Sequence, residues 1–143
     1  MFKGRYNHTL DAKNRTVVPV KLRDELGSSF VVTVGVEGCL YIYPNNEWEK
    51  FVEELQKLPG TKDARDLRRS FMSNACDCEP DAQGRFLIPA ELCEKANLKK
   101  DLVFSGNINK IELWDKEAFE KSISGLDNME ALADKLAEYG ISF

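Results

Sequence analysis

The chain has 143 residues, 43% of them hydrophobic and 31% charged, which suits one compact domain or two fused half-domains. No apolar run approaches the roughly 20 residues a membrane span needs. Met1-Phe2-Lys3-Gly4-Arg5 lacks an apolar signal segment, so a cytoplasmic protein is expected. A net charge of −4 argues against an indiscriminate nucleic-acid binder.

In chain order, Arg5 to Leu10 reads as a first strand ending at Asp11. Aspartate starts turns because its carboxylate accepts backbone N–H groups two residues on. Asn14 tolerates the left-handed backbone such a turn requires, and Thr16-Val17-Val18 is β-branched and reads as the returning strand. Asp11-Ala12-Lys13-Asn14-Arg15 is therefore a tight turn with arginine at its exit. Pro19 opens a short helix, where its missing N–H costs nothing. Val20 is placed to pack, Leu22 and Leu26 share a face, and Gly27 ends the helix. Phe30–Val34 and Cys39–Tyr43 are strands joined by a turn from Gly35 to Gly38.

Asn45 or Asn46 is placed to cap the next helix, whose apolar stripe is Trp48, Phe51, Val52, Leu55 and Leu58. Pro59-Gly60 breaks it. Thr61 caps another helix with Ala64, Leu67 and Phe71 on its buried face and Arg65, Arg68 and Arg69 elsewhere. Trp48, Phe51 and Phe71 read as core rather than interface.

The turn then returns 70 residues later as Asp81-Ala82-Gln83-Gly84-Arg85, followed by apolar residues and Pro89 as the first is by Pro19. Strands follow at 101–105 and 110–114, around a turn at 106–109. They stand one residue further on, so that Gly35 aligns with Gly106 and Tyr43 with Trp114, as if one residue were inserted after the short helix. Asp115 caps a helix carrying Phe119 and Ile123; Met129, Leu132, Leu136 and Tyr139 stripe a terminal helix. The class is α+β, with two tandem βαββ units around a shared pseudo-two-fold core and helical inserts. The expected boundaries are 1–48 and 73–119 for the repeats, 49–72 for the insert, and 120–143 for the C-terminal segment.

Enzymatic chemistry is poorly represented. There is no Gly-rich phosphate loop and no Ser/His/Asp set, and His8, the only histidine, sits on the first strand. Cys39, Cys76, Cys78 and Cys93 read as reduced thiols. Cys76-x-Cys78 with one distant histidine falls short of a tetrahedral zinc set. No catalytic residue, metal, cofactor or small-molecule substrate is expected.

The charge distribution points elsewhere. Residues 1–23 hold Lys3, Arg5, Lys13, Arg15, Lys21 and Arg23 against Asp11 alone, whereas residues 112–143 hold eight acids against three lysines. A basic face is the footprint of polyanion contact. Arginine offers a rigid fork of donors that matches guanine O6 and N7 in the major groove. A two-stranded β-ribbon fits that groove, so no recognition helix is required. Arg15 and Arg85 are the candidate base readers, with Lys13, Asn14, Gln83 and Gly84 beside them; Lys3, Arg5, Lys21 and Arg23 are candidate phosphate contacts. Asp11 and Asp81, which phosphates repel, are assigned to locking the turns and orienting the arginines. The competing reading is an Asp–Arg pair that merely closes each turn, since exposed pairs are common and weak. Asp77, Glu79 and Asp81 make the second copy locally acidic, so the first repeat is expected to dominate contact with DNA, and the second to serve as scaffold or subunit interface.

Met1-Phe2-x-Gly4, Leu10-Asp11-x-Lys13-x-Arg15-x-x-x-Pro19 and Asp81-x-Gln83-Gly84-Arg85-x-x-x-Pro89 resemble the MraZ family, part of the AbrB-like, swapped-hairpin (double-psi barrel-like) DNA-binding superfamily. The resemblance covers nearly the whole chain. It implies a bacterial transcriptional regulator that represses its own promoter at the head of a division and cell-wall gene cluster. It also implies association with the nucleoid and a closed homo-oligomeric ring. A ring would place many turns side by side on short promoter direct repeats about one helical turn apart, with affinity drawn from multivalency. Two departures stand out: Asn14 where the family often has glycine, and Cys93 where many members have arginine. The alternative is an AbrB-like protein-interaction or scaffold module without an operator.

Overall fold

A computed structural model describes residues 1–126 and 128–142; Asp127, one of the eight acids counted above, lies outside them. The first repeat runs β1 (Arg5–Thr9), β2 (Arg15–Val17), α1 (Val20–Leu26), β3 (Phe30–Val34) and β4 (Leu40–Pro44). Helices α2 (Asn45–Gln56) and α3 (Lys62–Ser73) follow. The second repeat is β5 (Cys76–Cys78), β6 (Arg85–Leu87), α4 (Ala90–Lys95), β7 (Asp101–Asn107) and β8 (Lys110–Asp115). Helices α5 (Lys116–Ile123) and α6 (Met129–Leu136) close the chain, with a 3-10 turn over Ala137–Tyr139. No helix among the described residues is long and apolar enough to cross a membrane.

The strand order shows how the halves combine. Six strands form one sheet, β1-β7-β8-β4-β3-β5, and two form another, β2-β6. The first strand of each repeat leaves its own unit: β1 pairs with β7, and β5 pairs with β3. Exchanging the repeats reverses the sheet order and leaves it unchanged, so a pseudo-two-fold axis passes between β4 and β8. The returning strand expected after each turn does not pair with the strand before it. β2 pairs with β6, Arg15 opposite Leu87 and Val17 opposite Arg85. A turn read locally predicts a hairpin, but here its second arm finds its partner in the other repeat.

Alternation along the strands builds two cores. Phe30, Val32, Leu40, Ile42, Leu102, Phe104, Ile111 and Leu113 face the β2/β6 ribbon and helices α1 and α4, with Phe86, Ile88, Leu22 and Leu92 between. The other face carries Tyr41, Tyr43, Val103 and Trp114 against α2, α3 and α5, through Leu55, Phe71 and Phe119, with Trp48 and Phe51 packed at its margin. Burying a side chain such as Phe or Leu contributes about 1.5–3 kcal/mol, so the ribbon is held by its apolar underside.

Several local expectations change. Val20 does not pack; it is 73% exposed. Pro44 is the N-cap residue of α2 and offers no side-chain bond, while Asn45, already helical, donates to Ser29 Oγ at 2.7 Å. Leu67 is 42% exposed, because only Ala64 and Phe71 of that helix reach the sheet. Arg68 folds back instead, donating to the Leu55 carbonyl at the end of α2 and the Leu58 carbonyl just beyond it. Register also revises the alignment of the repeats. Val34 faces Leu40 and Gly106 faces Ile111. Gly106 is thus the counterpart of Val34 rather than of Gly35, with two residues inserted before β7 and one removed from the hairpin. Glycine is needed there, since a Cβ on Gly106 would lie 2.3 Å from the Lys3 backbone nitrogen where the N-terminal segment crosses. The stripe on α6 faces solvent, with Met129, Leu132, Leu136 and Tyr139 all exposed.

Candidate nucleic-acid interface

The two turns are built alike to within 0.1 Å. In the first, Asp11 Oδ1 accepts the Lys13 and Arg15 backbone N–H groups at 2.9 and 2.8 Å, and Oδ2 accepts Arg15 Nε at 2.9 Å. In the second, Asp81 Oδ1 accepts Gln83 and Arg85 N–H groups, both at 2.9 Å, and Oδ2 accepts Arg85 Nε at 2.8 Å. Asn14 and Gly84 take positive φ, 60° and 82°, at the matching position. The Arg15 backbone N–H, ahead of its guanidinium, holds the Asp11 carboxyl below its ordinary 3.8; the Arg85 backbone N–H does the same for Asp81.

This grip decides what each arginine presents. The carboxylate occupies Nε, and the two terminal amino groups have no hydrogen-bonding partner among the described residues. Both side chains are open to solvent, Arg15 at 42% and Arg85 at 49%. Thr16 and Phe86 point into the core, so period-two alternation sends Arg15, Val17, Arg85 and Leu87 outward. The ribbon's outer face thus carries the two guanidinia on one diagonal and Val17 and Leu87 on the other. From the register, the Arg15 and Arg85 Cα atoms are roughly 8–9 Å apart.

The turns also bond across the repeats. Val18 donates to the Gly84 carbonyl and Ile88 to the Asn14 carbonyl, each at 2.8 Å. Lys13 and Gln83 lie exposed beside their arginines. Lys3 and Arg5 are not part of this cluster. They sit at the far end of β1, roughly 20 Å of extended chain from Asp11, and the Arg5 guanidinium lies over the Phe119 ring, 5.0 Å from its centroid. The sequence reading missed Leu87, which is 57% exposed beside Arg15. Alternation counted from Arg85 was the available signal.

Other chemistry is sparse. His8 is half-buried, edge-on to Phe104, and burial lowers its pKa. Burial pushes the Cys39 thiol up to about 12, far from a reactive thiolate. Among the described residues no group of three or more His, Cys, Asp or Glu is placed to hold a metal ion.

A paired turn on a cross-repeat ribbon is a specific signature, and comparison with known proteins agrees with it. The model of a family described as "MraZ protein, putative antitoxin-like" matches residues 1–70 and again 71–138. The chain belongs to the MraZ family. It is 56% identical, over the full length of both chains, to the "Transcriptional regulator MraZ" of Lachnoclostridium phytofermentans. Proteins of the same name from Clostridium tetani and Clostridium beijerinckii are 47% and 46% identical over 99% of this chain and all of theirs. The family model divides the chain within α3, after Ser70, yet the strand exchange means that neither matched half owns a complete sheet.

Proposed function

We propose that this chain is a sequence-specific DNA-binding transcriptional regulator that represses the promoter of its own gene cluster and reads short direct repeats through the two Asp-x-x-x-Arg turns. The carrying observation is the carboxylate on each Nε, which leaves the terminal nitrogens of Arg15 and Arg85 without a partner among the described residues, on exposed side chains of a two-stranded ribbon. A guanidinium so fixed meets guanine end-on, and each good bidentate pair gives roughly 1–3 kcal/mol of discrimination. Lys13, Asn14 and Gln83 flank the readers, Gly84 permits the second turn, and Asp11 and Asp81 orient. The relatives' names support regulation of transcription. One ribbon spans few base pairs, so several copies assembled in a ring supply the affinity, and a nucleoid-associated protein in the cytoplasm follows from that role.

A mobility shift with duplex DNA from upstream of this protein's own gene tests the reading. Wild type binds in preference to unrelated duplex, and Arg15→Ala loses that preference. Equal binding of the two duplexes by wild type would refute sequence-specific recognition and favour the interaction-module alternative.

A further inference from the structure

The second turn contains a residue of the first repeat. A Cβ placed on Gly84 would lie 2.5 Å from Arg23 Cζ and 2.7 Å from its Nε and Nη2. The Arg23 guanidinium therefore lies directly against the glycine that precedes Arg85. It is held there, since Nε donates to the Val18 carbonyl at 2.8 Å while the Val18 N–H donates to the Gly84 carbonyl. Among the described residues its terminal nitrogens have no hydrogen-bonding or ionic partner. Arg23 is half-buried, and its charge adds to burial in lowering the pKa of His8.

The charges of the two turns then match. Around the first stand Lys13 and Arg15 against Asp11. The second has the neutral Gln83 where the first has Lys13, but Arg23 restores the second cation beside Arg85, against Asp81. The counterpart of Arg23 near the first turn is Cys93, whose Sγ lies 3.7 Å from the Ile88 carbonyl, the equivalent of Val18. It brings no charge. Each turn thus holds two cations and one carboxylate by a different route. Asp77 and Glu79 precede the second turn in the chain and have no counterpart acids before the first.

We propose that Arg23 and the second turn form one composite site for a DNA backbone phosphate, with Arg23 clamping the phosphate while Arg85 reaches the base edge. This rests on the reading of the turns as DNA contacts. Phosphate contacts position a protein without specifying sequence. A guanidinium anchored through Nε beside a close-packed backbone is suited to that task, being charged and tethered while its terminal nitrogens have no partner among the described residues.

The test is binding of the full-length protein to duplex DNA from upstream of its own gene, followed by fluorescence anisotropy over roughly 50–200 mM salt. In Arg23→Gln the amide can still bond the Val18 carbonyl but the charge is gone. The slope of log affinity against log salt should fall by at least about 0.9, one phosphate contact for each second turn on the duplex. Binding should weaken alike for operator and unrelated duplex. Wild-type slope in a folded Arg23→Gln protein overturns the proposal. If that variant fails to fold, Arg23→Met replaces it. If both fail, the guanidinium is spent inside the fold, which equally overturns the proposal. Arg15→Ala is run in parallel: if it keeps wild-type operator preference, the reading of the turns has failed; if it loses preference while Arg23→Gln keeps the wild-type slope, only the role of Arg23 has.

Discussion

At the scale of single residues, each turn depends on a carboxylate that stays ionised. Asp11 and Asp81 have pKa values below 3.8, so whatever they contribute is fully present above the ordinary carboxylate range and is lost as pH falls through the depressed folded value. NMR titration should give both side chains midpoints below 3.8; midpoints at or above 3.8 would mean the turns are open in solution. Arginine at the turn exit is not exchangeable with lysine. Arg15→Lys forfeits the Nε bond and the planar fork together, so operator preference should drop by roughly 1–3 kcal/mol while unrelated duplex binds as before; competition assays measure the difference. Thr16, beneath the ribbon, has a buried hydroxyl with no partner among the described residues. Thr16→Val keeps the shape and removes that desolvated group, which should raise stability by about 1 kcal/mol in urea unfolding.

At the scale of elements, the two repeats differ as a pair at equivalent positions, Gly84 and Arg23 against Asn14 and Cys93. Gly84 leaves room for Arg23; by the pseudo-two-fold relation, Asn14 carries a Cβ where Gly84 has none, and an arginine in place of Cys93 would meet it. Gly with Arg and Asn with Cys are thus alternative ways to pack a turn against the opposite short helix. Cys93→Arg alone overpacks and should cost about 1–3 kcal/mol. Combined with Asn14→Gly the cost should shrink, with a coupling above about 1 kcal/mol in a double-mutant cycle. Additive effects would show that the two positions do not meet.

At the scale of the molecule, exchange of β1 and β5 makes the halves interdependent. A fragment of residues 1–70 retains the β3/β4 hairpin, but β1 loses β7 and β2 loses β6. Without those partners it should form no folded monomer, and any structure it gains should appear only with self-association. Circular dichroism and sedimentation across a concentration series read this directly; a folded, monomeric fragment would contradict the interlocked architecture. In the full chain the pairing of β2 with β6 places both arginines on one ribbon, so damage to either half's sheet should disturb both.

The sequence by itself determined the elements and the candidate readers. Asp-x-x-x-Arg, the prolines and the period-two apolar runs are local signals, because turn geometry and side-chain alternation depend on residues a few positions apart. The apolar stripe on α2 and the caps at Thr61 and Asp115 were legible for the same reason. Only the tertiary structure decided which strand pairs with which, that Lys3 and Arg5 stand apart from the turns, and that Arg23 crosses to the second repeat. Those facts join residues 44 to 114 positions apart, from Val32 and Cys76 to Arg5 and Phe119. No local pattern encodes such pairings; they are selected when two similar units bury one another's apolar faces.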